Sequence, residues 1–181
     1  MEIALLLMLV VLVTRNGEMD LPLNGKRFAM AILGTIKPMV ESRGFHANAA
    51  RLLTAQAMLE TGDGFQIKDS NAWNITAGAN WRGSTIEGGD RDASGGSIRQ
   101  KFRAYASFTA AAQDLFSVLG LKRYERAVAL LKLGDESYIE ELGKAGWYSL
   151  APEEYRKRMR LVLARLDRYL QDGTTGMAWG G

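Results

Sequence analysis

The sequence predicts an α+β domain that is mainly helical and carries one small β lobe. Apolar residues recur at helical spacing on both sides of the middle of the chain, over about 26–61 and 107–171. In 62–106, Gly, Asn, Ser and Asp are frequent and the helical periodicity stops, which is typical of loops and short strands. The chain of 181 residues is long enough for one domain with a sizeable core.

Composition narrows the chemistry that the chain can use. Hydrophobic residues make up 47% and charged residues 24%, as in an ordinary globular protein, and the net charge is +3. No basic cluster with interleaved aromatics is present, so nucleic acid is not a predicted partner. The chain has no Cys and one His, His46, which excludes disulfides, thiolate nucleophiles and His- or Cys-rich metal sites. A Ser-His-Asp triad would depend on His46, and no nucleophile-elbow motif accompanies it. We therefore expect carboxylates and tyrosines to carry any catalysis without a metal or cofactor, and His46 to be structural.

The chain begins with an apolar run of eleven residues, Ile3–Val13, between Glu2 and Arg15. A membrane-crossing helix needs about 20 residues, and the run also lacks the basic start and cleavage site of a secretion signal. Three alternatives stay open: an atypical or uncleaved export signal, an anchor that contacts a membrane or phage tail proteins, and a buried helix. We favour an anchor or export element. The predicted divisions are an N-terminal segment and linker over 1–25, one domain over 26–171 and a flexible, glycine-rich tail over 172–181.

Apolar spacing and helix-end signals place the elements of the domain. Phe28, Ile32 and Ile36 mark one face of a helix that starts near Lys26, and Pro38 predicts a separate short helix that Gly44 ends. Further helices are predicted over about 47–61, after the N-cap Ser107, over Tyr124–Leu133, after Asp135 and from Pro152. Within the lobe, the alternation in Lys101–Tyr105 predicts a short strand, and 87–96 is the predicted flexible loop.

Residues 55–64, AQAMLETGDG, form the end of a helix with a carboxylate in its last turn. Gly62 fits the position after a helix end, where a positive φ is favoured. Glu60 therefore lies beside the negative end of the helix dipole. Partial burial and the dipole both disfavour the charged form, so we expect the pKa of Glu60 to be raised, as a general acid near neutral pH requires. The alternative is a solvated Glu near a helix end.

Several motifs follow this helix end in a fixed order. They are residues 55–62 (AQAMLETG), 70–75 (SNAWNI), 81–87 (WRGSTIE), 102–107 (FRAYAS), Tyr124 and 145–148 (AGWY). The first resembles an A-Q-x-x-L-E-T/S-G helix end, and residues 102–107 match an F-R-x-Y-x-S motif residue for residue. Together, over residues 29–170, they resemble the peptidoglycan-cleaving glucosaminidases of glycoside hydrolase family 73, which have a lysozyme-like fold.

The resemblance implies two catalytic carboxylates. Glu60 would be the general acid that protonates the leaving glycosidic oxygen, and Glu87 matches the position of a second acid from the lobe. The second carboxylate either activates water or stabilises positive charge at the anomeric carbon, depending on the separation of the two. For Glu87 the alternative is an exposed loop acid, and Asp90 and Asp92 are reserve candidates on the same loop.

The resemblance also implies a set of substrate-binding residues. Flat aromatic faces on which sugar rings stack are expected from Trp81 and Tyr105, whose alternative is a core role that holds the lobe onto the helices. Arg103 is expected to support the site by pairing with a carboxylate or carbonyl group, and Asn71 falls in a matching motif. The family's active-site tyrosine falls at Trp147, so Tyr148 supplies a hydroxyl only if the turn is shifted by one residue.

Three positions depart from the family pattern. Asp63 stands where the family usually has Trp, and a charged Asp63 near Glu60 would raise the pKa of Glu60 further. Asn74 replaces a usual Gly, and Trp147 replaces the Tyr. These departures leave the fold and the substrate class as expected while weakening the prediction of catalytic activity.

Two functions follow. The first is hydrolysis of the β-1,4 glycan backbone of peptidoglycan, of the N-acetylglucosaminidase type, by a bacterial autolysin or a phage tail-associated lysin. Glycan strands would then be the partner, and the protein would act in the cell envelope or periplasm, after secretion, or in a virion. The alternative is a non-catalytic structural or glycan-binding component of a phage tail or envelope machine that keeps the fold.

Overall fold

The computed structural model describes residues 12–13, 19–20, 24–91 and 96–175. The helices are α1 Gly25–Ser42, α2 Asn48–Thr61, α3 Phe108–Leu119, α4 Glu125–Leu133, α5 Tyr138–Lys144 and α6 Pro152–Thr175, with a 3₁₀ turn at Lys122–Tyr124. The strands are β1 Leu12–Val13, β2 Met19–Asp20, β3 Thr85–Arg91 and β4 Ser97–Arg103; β1 pairs antiparallel with β2, and β3 with β4. The predicted α+β class, mainly helical with a small β lobe, is confirmed.

Helix α2 forms the centre of the core. Its buried side chains lie on all faces of the helix: Ala49, Ala50, Leu52, Leu53, Thr54, Ala55, Gln56, Ala57, Met58 and Thr61. A helix buried all round is typical of a position inside a helical domain, and here α1 and α6 pack against it. Before α2, the Asn48 N–H donates to His46 Nδ1 at 3.1 Å, so the predicted structural role of His46 near a helix start is confirmed.

Helix α1 is longer than the sequence predicted. Pro38 does not begin a separate short helix but lies inside α1. The buried positions Phe28, Ile32, Ile36 and Val40 form one continuous stripe that runs past the proline. Because Pro38 itself is exposed, its ring and missing N–H disturb the solvent side of the helix and leave the packed side intact.

In the lobe, β4 is hydrogen-bonded along both edges. One edge pairs with β3, from Thr85 opposite Arg103 to Arg91 opposite Ser97. The other edge meets residues 75–77, where the Ala77 N–H donates to the Lys101 carbonyl at 2.8 Å. The predicted strand is therefore confirmed, but the flexible loop predicted over 87–96 is wrong for 87–91, because the ladder continues through those residues. Residues 92–95 lie outside the described residues.

The remaining predictions concern caps and chain ends. The Ser107 hydroxyl accepts a hydrogen bond from the Ala110 N–H at 3.2 Å, which confirms it as the N-cap of α3. Helix α6 begins at Pro152 as predicted but extends to Thr175, so the tail predicted from 172 starts too early. No proline blocks helical hydrogen bonding in 172–175. Residues 176–181 lie outside the described residues.

The apolar run of residues 3–13 also lies outside the described residues, apart from Leu12 and Val13 in β1. Of the helices described, none combines the length and apolar character needed to cross a membrane.

An ion pair connects α2 to α6. Arg51 donates from Nε and Nη2 to the two carboxylate oxygens of Asp167 at 2.6 and 2.7 Å, so the contact is bidentate. These hydrogen bonds lower the pKa of the Asp167 carboxyl in the folded protein. The stabilisation is therefore complete above the unfolded pKa of about 3.9 and is lost as pH falls through the lower, folded value.

We expect Asp167→Asn to lower the free energy of unfolding at neutral pH by about 0.5–1 kcal/mol, since the pair is partly exposed and solvent screens it. Urea unfolding of both proteins, at neutral pH and in acid below both pKa values, should show a difference that shrinks in acid. Glu154→Gln, which removes a more exposed pair with Arg158, is the matched control and should change stability less. Identical unfolding curves for Asp167→Asn and the parent at neutral pH would contradict this prediction.

Candidate active site

Glu60 occupies the last turn of α2, at the point where the buried helix reaches the surface. Gly62 follows with a φ of +56°, and its N–H donates to the Met58 carbonyl, so the predicted glycine helix end is confirmed. The Glu60 side chain is half-buried. It is therefore neither sealed in the core nor turned fully into solvent, which is the environment expected of a catalytic carboxyl group.

Asn74 completes this helix end from the lobe. Its side-chain amide donates to the backbone carbonyl of Glu60, one of the carbonyls that has no partner within α2. The residue has a φ of +48°, a conformation that Asn tolerates better than most residues. Asn74 thus takes the backbone conformation for which a Gly is suited, and it adds a hydrogen bond that a Gly cannot make.

Asn71 fastens the same loop and is not available to a substrate in this structure. Its side chain is fully buried. Its amide donates to the carbonyls of Ile75 and Arg103 at 2.9 and 2.8 Å, and its oxygen accepts from the Ile75 N–H. The residue predicted from its motif to bind substrate therefore connects the loop to β4 and has a structural position.

Tyr155, on α6, contacts the candidate acid directly. It is 3% exposed, and its hydroxyl donates to Glu60 Oε1 at 2.7 Å. Burial and then the neighbouring Glu60 raise the pKa of Tyr155 well above its ordinary value, so the phenol stays protonated and remains a donor. The sequence analysis did not assign Tyr155 to the site. The only available signal was that a buried phenol needs a hydrogen-bond partner.

The turn after α5 places its aromatic residues differently from the prediction. Trp147 packs edge-on against Tyr124, with ring centres 5.5 Å apart. The Tyr148 hydroxyl donates to the Ile139 carbonyl at 3.0 Å, and its ring stacks on that of Tyr155 at 3.7 Å. Tyr148 therefore does not direct a free hydroxyl to the site. The phenol that touches Glu60 comes from α6 instead.

The negative charge of Asp63 is compensated by the guanidinium group of Arg165. Its carboxylate accepts a hydrogen bond from Arg165 on α6 at 2.9 Å, and its side chain is 14% exposed. The nearby positive charge offsets the repulsion that Asp63 was expected to exert on Glu60. The departure from the family pattern at this position thus forms an additional contact between α6 and the turn after α2.

Glu87 lies on β3, opposite Lys101 of β4. Its side chain is 57% exposed, and one carboxylate oxygen lies 3.8 Å from Arg99 Nη2. The position on the lobe is the one predicted for the second carboxylate. Its partnership with Glu60 across a glycosidic bond stays a prediction.

Three of the predicted binding residues form one cluster beside β4. The Arg103 guanidinium lies over the Trp81 ring, 4.5 Å from the ring centre, and pairs with Asp114 at 2.6 Å. The Tyr105 hydroxyl donates to the same carboxylate oxygen of Asp114, and the Trp81 ring meets the Tyr105 ring edge-on at 5.9 Å. The predicted pairing of Arg103 with a carboxylate is confirmed. The sequence analysis did not single out Asp114, because its position 11 residues after Arg103 does not indicate that the two side chains meet.

Gly83 explains how Trp81 folds over this cluster. A Cβ atom on Gly83 would lie 2.4 Å from the Trp81 ring, closer than packed atoms approach. The Trp81 Nε1–H donates to the Ser84 carbonyl at 2.9 Å. The orientation of the indole is therefore fixed by the hydrogen bond to Ser84 and by the close contact with Gly83.

Opposing influences act on the Glu60 carboxyl group. Partial burial and the negative end of α2 favour its neutral form, whereas the hydrogen bond from Tyr155 favours its charged form. A carboxyl group held in this way can release a proton to a bound substrate and remain stabilised as the carboxylate afterwards. This is the chemistry of a general acid.

Comparison with solved structures gives the same fold. The chain is similar to a peptidoglycan hydrolase from Sphingomonas sp. A1, with 25% identity, a TM-score of 0.66 and coverage of 81% of this chain and 94% of that one. It also matches the glycoside hydrolase domain of FlgJ from Salmonella typhimurium (21% identity, TM-score 0.62, coverage of 83% and 94%). A third match is the catalytic domain of the autolysin Auto from Listeria monocytogenes (16% identity, TM-score 0.58, coverage of 85% and 92%). No protein-family model and no curated protein sequence matches the chain.

These likenesses confirm the lysozyme-like fold and the resemblance to glycoside hydrolase family 73. The likeness to these hydrolases supports the prediction that the chain is a glycoside hydrolase. The roles of Glu60, Glu87 and the binding residues stay predictions.

The stack of Tyr148 on Tyr155 depends on the absence of a side chain at Gly143. A Cβ atom on Gly143 would lie 2.2 Å from the Tyr148 hydroxyl oxygen. We expect Gly143→Ala to lower the free energy of unfolding by about 1–3 kcal/mol by displacing Tyr148. Thermal unfolding would measure the loss, and near-ultraviolet circular dichroism would report the displaced tyrosine.

Gly34→Ala is the matched control. Gly34 is exposed within α1, and a Cβ atom there would meet nothing within 4 Å. The substitution should stabilise the protein by about 0.5–1 kcal/mol, because Ala favours the helix. If Gly143→Ala proved as stable as the parent, the close packing of Tyr148 against α5 would be wrong.

Proposed function

We propose that this chain, which has the fold of the family 73 glycoside hydrolases, cleaves the β-1,4 glycan backbone of peptidoglycan. The observation that carries the proposal is the half-buried Glu60 carboxyl at the end of a buried helix, hydrogen-bonded by a buried phenol. The motifs of residues 55–62 and 102–107 favour the N-acetylglucosaminidase type of cleavage, and the similar enzyme from Sphingomonas sp. A1 is a peptidoglycan hydrolase.

In the proposed reaction, the Glu60 carboxyl donates its proton to the glycosidic oxygen while the bond from that oxygen to the anomeric carbon breaks. Positive charge develops on the sugar ring as the leaving group departs. The Glu87 carboxylate then accepts a proton from the water that attacks the anomeric carbon, or it stabilises the positive charge. The water supplies the new hydroxyl at the anomeric carbon, and the glycosidic oxygen leaves as a hydroxyl that carries the proton from Glu60. The remaining proton of the water passes to solvent, through Glu87 where Glu87 acts as the base, and Glu60 regains a proton from solvent.

The cluster beside β4 supplies the proposed sugar-binding surface. The Trp81 ring is half-buried, and one of its faces is covered by Arg103. The part of the ring that stays exposed has the flat, apolar shape on which a sugar ring stacks. Arg103 and Asp114 hold that indole in place, so we assign Arg103 and Tyr105 to support of the surface and Trp81 to contact with the glycan.

A second candidate function is a non-catalytic glycan-binding or structural role. Two observations favour it: Trp147 stands where the family has a tyrosine, and the Tyr148 hydroxyl donates to the Ile139 carbonyl. A zymogram on purified sacculi separates the two functions. Clearing supports the hydrolase, and binding without clearing supports the alternative. Mass spectrometry of the digested glycan identifies the bond from the new reducing end.

For location, we propose the cell envelope or a virion. Peptidoglycan is the proposed substrate, and the apolar residues 3–13 suit an anchor or export element. Fractionation of cells that produce the chain with and without residues 1–20 tests this. An unchanged distribution would remove any role of the apolar run in placement.

Glu60→Gln is expected to abolish clearing of sacculi while the fold remains intact. Gln retains the size of Glu and can accept the Tyr155 hydrogen bond, but it has no acidic proton to donate. Turbidity and released reducing ends measure the activity, and circular dichroism measures the fold. Glu41→Gln, an exposed substitution on α1, is the control and should leave activity unchanged. Undiminished clearing by folded Glu60→Gln protein would refute the assignment.

Glu87→Gln should lower the rate of glycan cleavage by about 100-fold, because one of two carboxylates that act on the bond is removed. The measurement is the same assay, with thermal unfolding as the check on stability. Since Glu87 is exposed, the substitution should leave stability near that of the parent. If the rate stays within a factor of two of the parent, Glu87 is not the second carboxylate, and Asp90 and Asp92 become the candidates to test.

A further inference from the structure

The side of Glu60 that faces the protein interior is lined with phenols. Tyr155 from α6 donates to Glu60 Oε1, and Tyr148 stacks on Tyr155. Tyr138 from α5 is fully buried close by, and its hydroxyl donates to Gln56 Oε1 at 2.7 Å, one helical turn before Glu60. We propose that Tyr155 is a positioning residue that selects Glu60 Oε2 as the proton-donating oxygen and strengthens Glu60 as an acid; this rests on the proposed function.

The selection follows from the direction of the hydrogen bond. A phenol O–H donates to whichever carboxyl oxygen accepts it, and here that oxygen is Oε1. In the neutral acid the proton is on one oxygen only, and the other is the carbonyl oxygen, the better acceptor. The contact therefore favours the tautomer that is protonated on Oε2. Tyr155 also fixes the rotation of the carboxyl group, because its ring is held by the parallel stack with Tyr148 at an interplanar angle of 3°.

The same bond strengthens the acid once the proton is transferred. When the Oε2–H bond breaks, the carboxylate becomes charged, and its hydrogen bond to Tyr155 becomes charge-assisted and stronger. The interaction is thus tighter after proton transfer than before, which is the condition for accelerating the step. Tyr155 can act only as a donor in this way, because burial and Glu60 raise its pKa well above its ordinary value.

Three neighbouring groups whose hydrogen bonds the structure describes bind atoms other than the Glu60 carboxyl group. From α5, the Tyr138 phenol is directed to Gln56, and burial and then Glu60 raise its pKa as well. After α2, the Asp63 carboxylate is paired with Arg165 from α6. From the lobe, Asn74 binds the Glu60 backbone carbonyl rather than the carboxyl group. Removal of the Tyr155 hydroxyl should therefore change the acidity of Glu60, whereas removal of the Tyr138 hydroxyl should not.

The test is Tyr155→Phe in the full chain. Without the donor, the charged form of Glu60 loses stabilisation, so Glu60 should titrate at higher pH and the basic limb of the pH profile of kcat/KM should move to higher pH. The plateau rate should fall by about tenfold, since a hydrogen bond to a charged group is lost in the transition state. The Glu60 titration is read directly from ¹³C shifts of labelled Glu carboxyl groups, assigned by the signal that is missing in Glu60→Gln.

Tyr138→Phe is the matched control, because it also removes one buried hydroxyl but leaves the Tyr155 bond in place. It should reduce stability and leave the Glu60 titration and the basic limb unchanged. The proposal is overturned if folded Tyr155→Phe protein titrates as the parent does, or if Tyr138→Phe moves the titration equally. A parent that fails to cleave glycan refutes the proposed function, while the ¹³C titration still decides whether Tyr155 controls the Glu60 carboxyl.

Discussion

The end of helix α2 is the constraint on which the rest of the structure depends. Because most of α2 is buried, the carbonyls and the carboxyl group at its half-buried end depend largely on protein groups for their hydrogen bonds. Three elements complete this end: Gly62 in the left-handed conformation, Asn74 from the lobe and Tyr155 from α6. The geometry proposed for catalysis thus arises from satisfying the polar groups of a helix that ends at the edge of the core.

The lobe is tied to the same point. The loop that carries Asn74 is fastened by the buried Asn71 to the Arg103 carbonyl of β4, and β4 in turn pairs with β3, which carries Glu87. Arg103 then bridges Asp114 of α3 and the Trp81 ring. A continuous set of hydrogen bonds therefore leads from the backbone of Glu60 to the strand of the second proposed carboxylate. The departures at Asp63 and Asn74 reinforce this arrangement, since both make contacts that hold the helix end.

The sequence correctly predicted features that depend on neighbouring residues, such as helix ends and caps. Residues within one turn determine the helix end at Gly62, the N-cap Ser107 and the helix start at Pro152. The positive charge of Arg103 is enough to predict that it pairs with a carboxylate. The prediction of a helix start at Pro38 was wrong, because the packing of the buried stripe of α1 stabilises the helix more than one exposed proline destabilises it. The contacts of Glu60 with Tyr155 and of Arg103 with Asp114 could not be predicted, because packing alone decides which buried phenol or carboxylate meets a partner on another element.

Glu60 and Glu87 belong to parts of the molecule with very different depths of burial. Glu60 is anchored in the helix at the centre of the core, whereas the hairpin residues whose burial is described are exposed or partly exposed, apart from the buried Phe102. Regions with few buried contacts open at lower free energy than a packed core does. On warming, the hairpin should therefore come apart while the helices are still intact. Under the proposed function, heat would then stop glycan cleavage before the helices unfold, and cooling would restore it without a refolding of the core.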